Sequence, residues 1–452
     1  MNNSGRIVVV GGNAAGPSAA AKAKRIDPTA EVILIESSGY ISTGTCELPY
    51  LLSGEIENYS DLVFYTPEKF NSEKEVKVLT NTFVKSVDPK KKVIEILDKK
   101  NNSKSELSYN KLILTTGSIP NEIPEIPFNL ENVFSYKSVS DYLKLNSYLN
   151  NNNIGKILIV GSGYIGLEVA ENLKSKKYDV TIFDIADLPL PSADDEVRSL
   201  AKDIIQKNNI TFLSKETKSK FIVGENKFKQ LKHQGRYLDF DVAIVAAGIR
   251  PNNYLAESAN LKLGKSEGLV VDTRLKTSNP NIYAAGDNIE IINKITNRPD
   301  YFPLATYAHQ FGHIAGENAA GGNKIAEPIV FNSSFKFCNK FIAQVGLNWK
   351  EAVKLSINAK YVSAVARNKV GVMPQSSKVF GKLIFDKYSK LILGASFVGS
   401  EEVSGYADLI SSYIYNKNSV LTLSKLNYNY TPPLSPFINL LSILGRKIEE
   451  IV

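Results

Sequence analysis

Cys46 is the residue with the clearest chemistry. It lies in Ser42-Thr43-Gly44-Thr45-Cys46-Glu47-Leu48-Pro49-Tyr50, just past a glycine-rich turn, and the chain's other cysteine, Cys338, is far away in sequence. A protein that cycles electrons through an internal disulfide needs two neighbouring thiols. With one, the second sulfur must come from a small molecule, or the thiol must cycle through an oxidised acid. A free cysteine can also be a small buried apolar residue. The setting favours reactivity: the thiol precedes a short apolar run whose Pro49 suits a first helical turn. The positive end of that helix is expected to lower the thiol pKa from its usual value of roughly 8.5, while the carboxylate of Glu47 opposes the shift if it points at the sulfur.

Two glycine-rich turns could hold the partner chemistry. Gly11-Gly12-Asn13-Ala14-Ala15-Gly16 follows the apolar run Arg6 to Val10 and opens an Ala-rich helix to about Arg25. A strand from Glu31 to Ile35 then ends at Glu36. Gly161-Ser162-Gly163-Tyr164-Ile165-Gly166 repeats the pattern between Lys156–Val160 and a helix to about Ser175, with the strand Asp179 to Phe183 ending at Asp184. Glycines in such a turn allow a tight bend and close backbone approach, so a pyrophosphate sits on helix-terminal N–H groups while the acidic residue takes the ribose. Asn13 replaces the middle glycine of the first turn, where its tolerance of unusual backbone angles is expected to help.

The runs Lys111 to Gly117 and Asp241 to Gly248 read as short buried strands ending in small residues beside a ligand. Gly286-Asp287 closes another, placing a carboxylate where it could accept bonds from a sugar-alcohol chain. Pro303 to Ala320 reads as a helix, and the texture changes after Gly322 to alternating strands and amphipathic helices. His309 and His313, four apart on that helix, have no evident third ligand, so packing or solvent exposure is expected rather than a metal site. Cys338 is expected to pack inside the C-terminal domain.

The bulk properties bound the rest. The 452 residues, 43% hydrophobic and 22% charged, describe an ordinary globular protein, long enough for about three domains. The net charge of +8 is spread through Lys-rich loops, which favours anionic small molecules weakly and gives no basic stripe for nucleic acid. No apolar run reaches the ~18 residues of a membrane span. The N-terminus lacks the layout of a secretory signal, and the cytoplasm is the expected compartment.

The Gly11–Gly16 turn, Cys46 in Cys-Glu-Leu-Pro-Tyr, Tyr65-Thr66-Pro67-Glu68-Lys69-Phe70, the Gly161–Gly166 turn, Gly286-Asp287 and Tyr430-Thr431-Pro432-Pro433 together resemble the flavoprotein disulfide reductases that bind two dinucleotides. Within them the resemblance is to the single-cysteine branch of coenzyme A disulfide reductases and NADH oxidases, over essentially the whole chain. It implies an α/β fold with two Rossmann-like dinucleotide-binding domains and a C-terminal α+β dimerisation domain. FAD would occupy residues 1–118 and 245–321, NAD residues 119–244, and residues 322–452 would form a homodimer and lend residues to the partner's site. FAD would then rest on Gly11, Gly12, Asn13, Ala14, Ala15, Gly16, Glu36, Ser37 and Val84. Thr116, Gly117, Gly286, Asp287, Leu304, Ala305 and Thr306 would complete its site. The nicotinamide dinucleotide would rest on Gly161, Gly163, Tyr164, Ile165, Gly166, Asp184 and Gly248. Tyr164 would shield the flavin until the nicotinamide displaces it; ordinary packing is the alternative. Asp184, with no basic residue in the next few positions, implies NADH over NADPH.

The implied reaction is reduction of a small disulfide, such as coenzyme A disulfide, through Cys46. The alternatives are an NADH oxidase, a polysulfide or persulfide reductase, or an electron carrier to an acidic protein partner. Ala14 stands where the oxidase members carry a histidine, which points away from oxygen. Thr45 stands where the coenzyme A reductases usually have asparagine, and Val372 or Met373 falls where they carry a second tyrosine. Tyr430 is left as the proton donor or thiolate partner.

Overall fold

The computed structural model describes residues 5–215 and 219–452. Five parallel strands form a first sheet in the order Ile282–Ala284, Lys111–Leu114, Arg6–Val10, Glu31–Ile35 and Lys77–Leu79. Apart from the edge strand Lys77–Leu79, their apolar runs are buried on both faces, as in parallel sheets covered by helices. A second parallel sheet repeats the order: Val133–Ser135, Val242–Val245, Lys156–Val160, Asp179–Asp184 and Thr211–Ser214. Ser118–Pro120 and Ile249–Pro251 pair antiparallel, so the chain leaves the first body and re-enters it through one two-stranded ribbon.

Helix Ala15–Ile26 follows the first glycine-rich turn and lies directly against helix Ala305–Ala319. Only small residues allow that approach. A Cβ on Gly312 would stand 2.3 Å from the Ala15 carbonyl oxygen, and one on Gly316 2.1 Å from that of Ala19.

The C-terminal body is a five-stranded antiparallel sheet in the order Asn332–Phe337, Lys340–Gly346, Ile392–Gly399, Lys378–Asp386, Ala359–Arg367. Helices Glu402–Tyr415 and Leu440–Glu449 bury their apolar faces on it. The turn joining its first two strands reaches the other way. Phe337 and Cys338 belong to the core around helix Tyr164–Ser175, where the Cys338 N–H donates to Glu171 at 2.6 Å. Cys338 therefore joins two bodies and does not pack within the C-terminal one, because a hairpin turn projects beyond the sheet that carries it. No helix among the described residues is long and apolar enough to cross a membrane.

Candidate active site

A cleft of about 1970 Å³ runs along the carboxyl ends of both parallel sheets, well above the ~300–1,000 Å³ of a single small-molecule site and suited to two dinucleotides. In the first half, a Cβ on Gly11 (φ +113°) would stand 2.0 Å from the Thr115 carbonyl, and one on Gly16 1.7 Å from that of Gly11. Gly16 thus shapes the turn from behind, while Gly11, Gly12, Asn13, Ala14 and Ala15 line the cleft. The Glu36 carboxylate is fixed on the turn, accepting the N–H of Gly12 and of Ser38, each at 2.7 Å.

The second half is built alike. Cβ atoms at Gly161 and Gly166 would strike the carbonyl oxygens of Ala246 and Gly161 at 2.3 and 2.1 Å. Gly163 lines the cleft and would meet nothing within 4 Å, leaving room beside the helix start. Asp184 is buried and accepts both the N–H and O–H of Ser162 at 2.6 Å and the N–H of Ala186 at 2.8 Å. Ile165 and Gly248 line this half with it.

Between the halves stands Cys46. Its loop hangs on the first turn: the Ser42 N–H donates to the Gly12 carbonyl at 2.7 Å. The Asn13 Oδ1 accepts both the N–H and O–H of Thr43 at 3.2 Å. Asn13 has no positive φ, so its side chain, not its backbone tolerance, is what the position uses. Helix Leu48–Ser53 packs on helix Tyr164–Ser175, and the Tyr136 hydroxyl donates to the Leu48 carbonyl at 2.6 Å. The two bodies together fix the thiol. It opens on the cleft and forms no disulfide.

Of the two opposing effects the sequence placed at Cys46, the structure favours the one that raises its pKa. Burial pushes the thiol pKa up, and Glu47, Glu168 and Asp287 push it further; Lys137 pulls it back. The helix after Cys46 has only six residues, so its dipole is a weak counter to several nearby carboxylates. Lys137 and Glu168 were missed from the sequence. Lys137 lies 3.9 Å from Asp287, whose carboxylate also accepts the Ser118 hydroxyl at 2.8 Å. Burial, then Glu171, pushes Glu168 to about 8. Glu168 stands one turn after Tyr164 and Lys137 just past a strand's carboxyl end, signals that helical spacing and the crevice rule carry.

Tyr164 rests against the Phe335 ring (4.7 Å between centroids), and its hydroxyl donates to Gln344 at 3.3 Å. Ser37, Thr116, Gly117, Gly286, Leu304 and Ala305 line the cleft; Val84, Thr306 and Gly166 do not. Val84 is buried in its strand, its carbonyl accepting the Tyr254 hydroxyl at 2.8 Å. Tyr430 does not line the cleft onto which Cys46 opens. It is 49% exposed, edge-on to Phe437 in a segment that also exposes Leu434 and Ile438. His309 and His313 stack at 5.4 Å, and no group of three or more metal-ligating side chains occurs among the described residues.

Residues 5–312 match the model of the pyridine nucleotide-disulphide oxidoreductase family, and residues 332–438 match that family's dimerisation domain. The chain is 31% identical over 431 residues to an NADH oxidase of Methanocaldococcus jannaschii, covering 95% of each. It is 29% identical over 445 residues to the coenzyme A disulfide reductase of Staphylococcus aureus, covering 98% of this chain and 100% of the relative. Its fold superimposes with a TM-score of 0.93 on an NAD-dependent persulfide reductase from A. fulgidus, at 29% identity, over 99% of this chain and 83% of that one.

Proposed function

The chain belongs to the pyridine nucleotide-disulphide oxidoreductase family, and on that premise we propose that it reduces a small-molecule disulfide, coenzyme A disulfide or one like it, through Cys46. It is a flavin-dependent oxidoreductase acting on a sulfur group, and its family uses FAD with a reduced nicotinamide dinucleotide. FAD fits the first half-cleft, on the Gly11–Ala15 turn with Glu36 at its ribose and Asp287 at its ribityl chain. The nicotinamide dinucleotide fits the second, on the Gly161–Gly163 turn with Asp184 at its ribose. When bound, the flavin accepts hydride from the reduced nicotinamide and supplies an electron pair.

The chain's own residues do the rest. The Cys46 thiolate attacks one sulfur of the bound disulfide, forming a mixed disulfide and releasing the first thiolate, which takes a proton. Two electrons then cleave the mixed disulfide, restoring the Cys46 thiolate and releasing the second thiolate, which also takes a proton. One disulfide, two electrons and two protons give two thiols. Lys137 stabilises the Cys46 thiolate, while Glu168, itself pushed up to about 8, opposes it where it ionises. The observation that carries this reading is the single thiol held open to the cleft between two glycine-rich turns.

We further propose NADH over NADPH, because a 2′-phosphate would meet the Asp184 carboxylate, and a homodimer in which Tyr430 serves the partner's Cys46. The test is a flavin spectrum of the purified protein, then NADH-dependent turnover with coenzyme A disulfide, polysulfide and oxygen in parallel, each repeated with Cys46→Ser. Disulfide reduction abolished by the substitution supports the reading. Turnover with oxygen alone, surviving the substitution, would instead favour the oxidase activity for which the Methanocaldococcus jannaschii relative is named. Fastest turnover with polysulfide would move the substrate to the persulfide class. No turnover with any of them, and NADH uptake that stops at the two electrons of FAD, would favour an electron carrier.

A further inference from the structure

Asp194 precedes helix Asp195–Lys207, a position from which a side chain ordinarily accepts first-turn N–H groups. It makes no such bond. Its carboxylate, 1% exposed, points into the C-terminal body instead. Oδ1 accepts the Trp349 N–H at 2.9 Å and lies 3.4 Å from the Lys382 ammonium, while Oδ2 accepts the Ser396 hydroxyl at 3.1 Å. Lys382, itself 3% exposed, also donates to Glu196 at 2.8 Å and stands 4.2 Å from the centre of the Tyr361 ring. Asn348 uses its side chain twice. Its Oδ1 caps the N–H of Glu351 at 2.8 Å, and its Nδ2 donates to the Ser192 carbonyl at 2.9 Å.

Apart from the Asn348–Glu351 cap and the Lys382–Tyr361 contact, these bonds tie residues 192–196 to the C-terminal sheet or the helix beside it. The stretch they anchor begins directly after Asp184, and Ile185, Ala186, Pro191 and Ser192 wall the second half of the cleft. That stretch is under local strain. Leu190 is fully buried at φ +53°, a region in which a bulky residue persists only where its surroundings impose it. Its N–H donates to the Ser162 carbonyl in the glycine-rich turn at 3.0 Å, so the wall and the turn are coupled. A buried ion pair is a weak source of net stability, but removing one partner strands the other charge. Its use here is to fix position.

We propose that the C-terminal body is a positioning element for the nicotinamide dinucleotide: the Asp194–Lys382 pair and the Asn348–Ser192 bond hold the cleft wall after Asp184 in the shape that accepts it. The role rests on the reading of the second glycine-rich unit as the nicotinamide site. Dinucleotide affinity is then set in part by residues outside the unit that binds it, and the C-terminal sheet does more than join subunits.

Three variants of the flavin-loaded protein test this. Asn348→Asp keeps the oxygen that caps Glu351 but sets an acceptor against the Ser192 carbonyl; Lys382→Met removes the buried cation, and Lys382→Arg keeps it. Rapid-mixing reduction by NADH or NADPH, whichever reduces the parent faster, separates the dinucleotide dissociation constant from the limiting rate. Asn348→Asp and Lys382→Met should raise the dissociation constant about tenfold with the limiting rate within about twofold and flavin content intact, and Lys382→Arg should stay near the parent. The proposal is overturned if both disruptive variants bind within about twofold of the parent, or if affinity falls only in step with flavin loss. A parent whose flavin neither dinucleotide reduces would sink the reading of the second unit, and the positioning role with it.

Discussion

At Cys46 the protein sets a reactive thiol among carboxylates, and the balance can be measured. Glu47 folds back over its own turn, so that a Cβ on Gly44 would stand 2.6 Å from its Oε2. Glu47→Gln removes a negative neighbour and favours the thiolate. The pH profile of Cys46 alkylation should shift to lower pH, and an unchanged profile would show that Glu47 does not act on the sulfur. Glu168 makes an opposite kind of prediction. Its ordinary value is 4.5 and its folded value about 8, so across that window the unfolded chain has lost a proton that the folded chain keeps. Stability falls as pH rises through the window. Glu168→Gln should therefore melt higher than the parent by a margin that widens from pH 5 to pH 8, as thermal unfolding would show. Of these two acids only Glu47, the neighbour of Cys46, was legible in the sequence as a charge acting on the thiol, and the sign of the net effect depended on burial.

Among the elements, the strand-turn-helix units were read almost residue for residue. The helices predicted after each glycine-rich turn, and the strands closing at Glu36 and Asp184, stand where their apolar periodicity put them. The reason is local: a glycine that must take φ +113° or +110° is dictated by its own turn, and a buried parallel strand announces itself as an unbroken apolar run. Gly16→Ala would bring a Cβ to 1.7 Å from the Gly11 carbonyl. We expect loss of bound flavin and destabilisation by roughly 1–3 kcal/mol or more, read by absorbance and by denaturant unfolding. Full flavin content in that variant would contradict the close packing. Asn13→Gly should instead keep the turn and loosen the Cys46 loop, raising the rate of Cys46 alkylation without loss of flavin. The Asn13–Thr43 bonds that this removes join positions thirty residues apart, which no local pattern encodes.

For the whole molecule the question is where Tyr430 acts. It lies on an exposed apolar segment and does not line the cleft onto which Cys46 opens, and the family match assigns residues 332–438 to a dimerisation domain. If the tyrosine serves the partner subunit, chains carrying Cys46→Ser and chains carrying Tyr430→Phe, each inactive alone, should regain turnover when mixed into hybrid dimers, because one of the two sites is then intact. Mixed dimers that stay inactive would place the tyrosine's role within its own chain or remove it from the reaction. The same scale governs dinucleotide choice. Asp184 argues for NADH, yet Lys215 and Lys220 line the cleft as well, and the Lys215 N–H donates to the Asp184 carbonyl at 2.6 Å. Asp184→Ala should narrow the ratio of NADH to NADPH efficiency by about tenfold, and an unchanged ratio would remove Asp184 as the discriminating group.

The sequence by itself determined the two nucleotide-binding units, the lone thiol after the first, the acidic residues closing each second strand and the change of texture beyond Gly322. All are encoded within a turn, a strand or a single spacing. Tertiary structure alone decided what surrounds the thiol and what holds the second half of the cleft. Glu168 and Lys137 reach Cys46 from the second body, Cys338 leaves its own sheet for another core, and Asp194 abandons its helix for Lys382. Electrostatics and burial depend on distances through space, and residues as far apart in sequence as Asp194 and Lys382 become neighbours only when the bodies that carry them pack together.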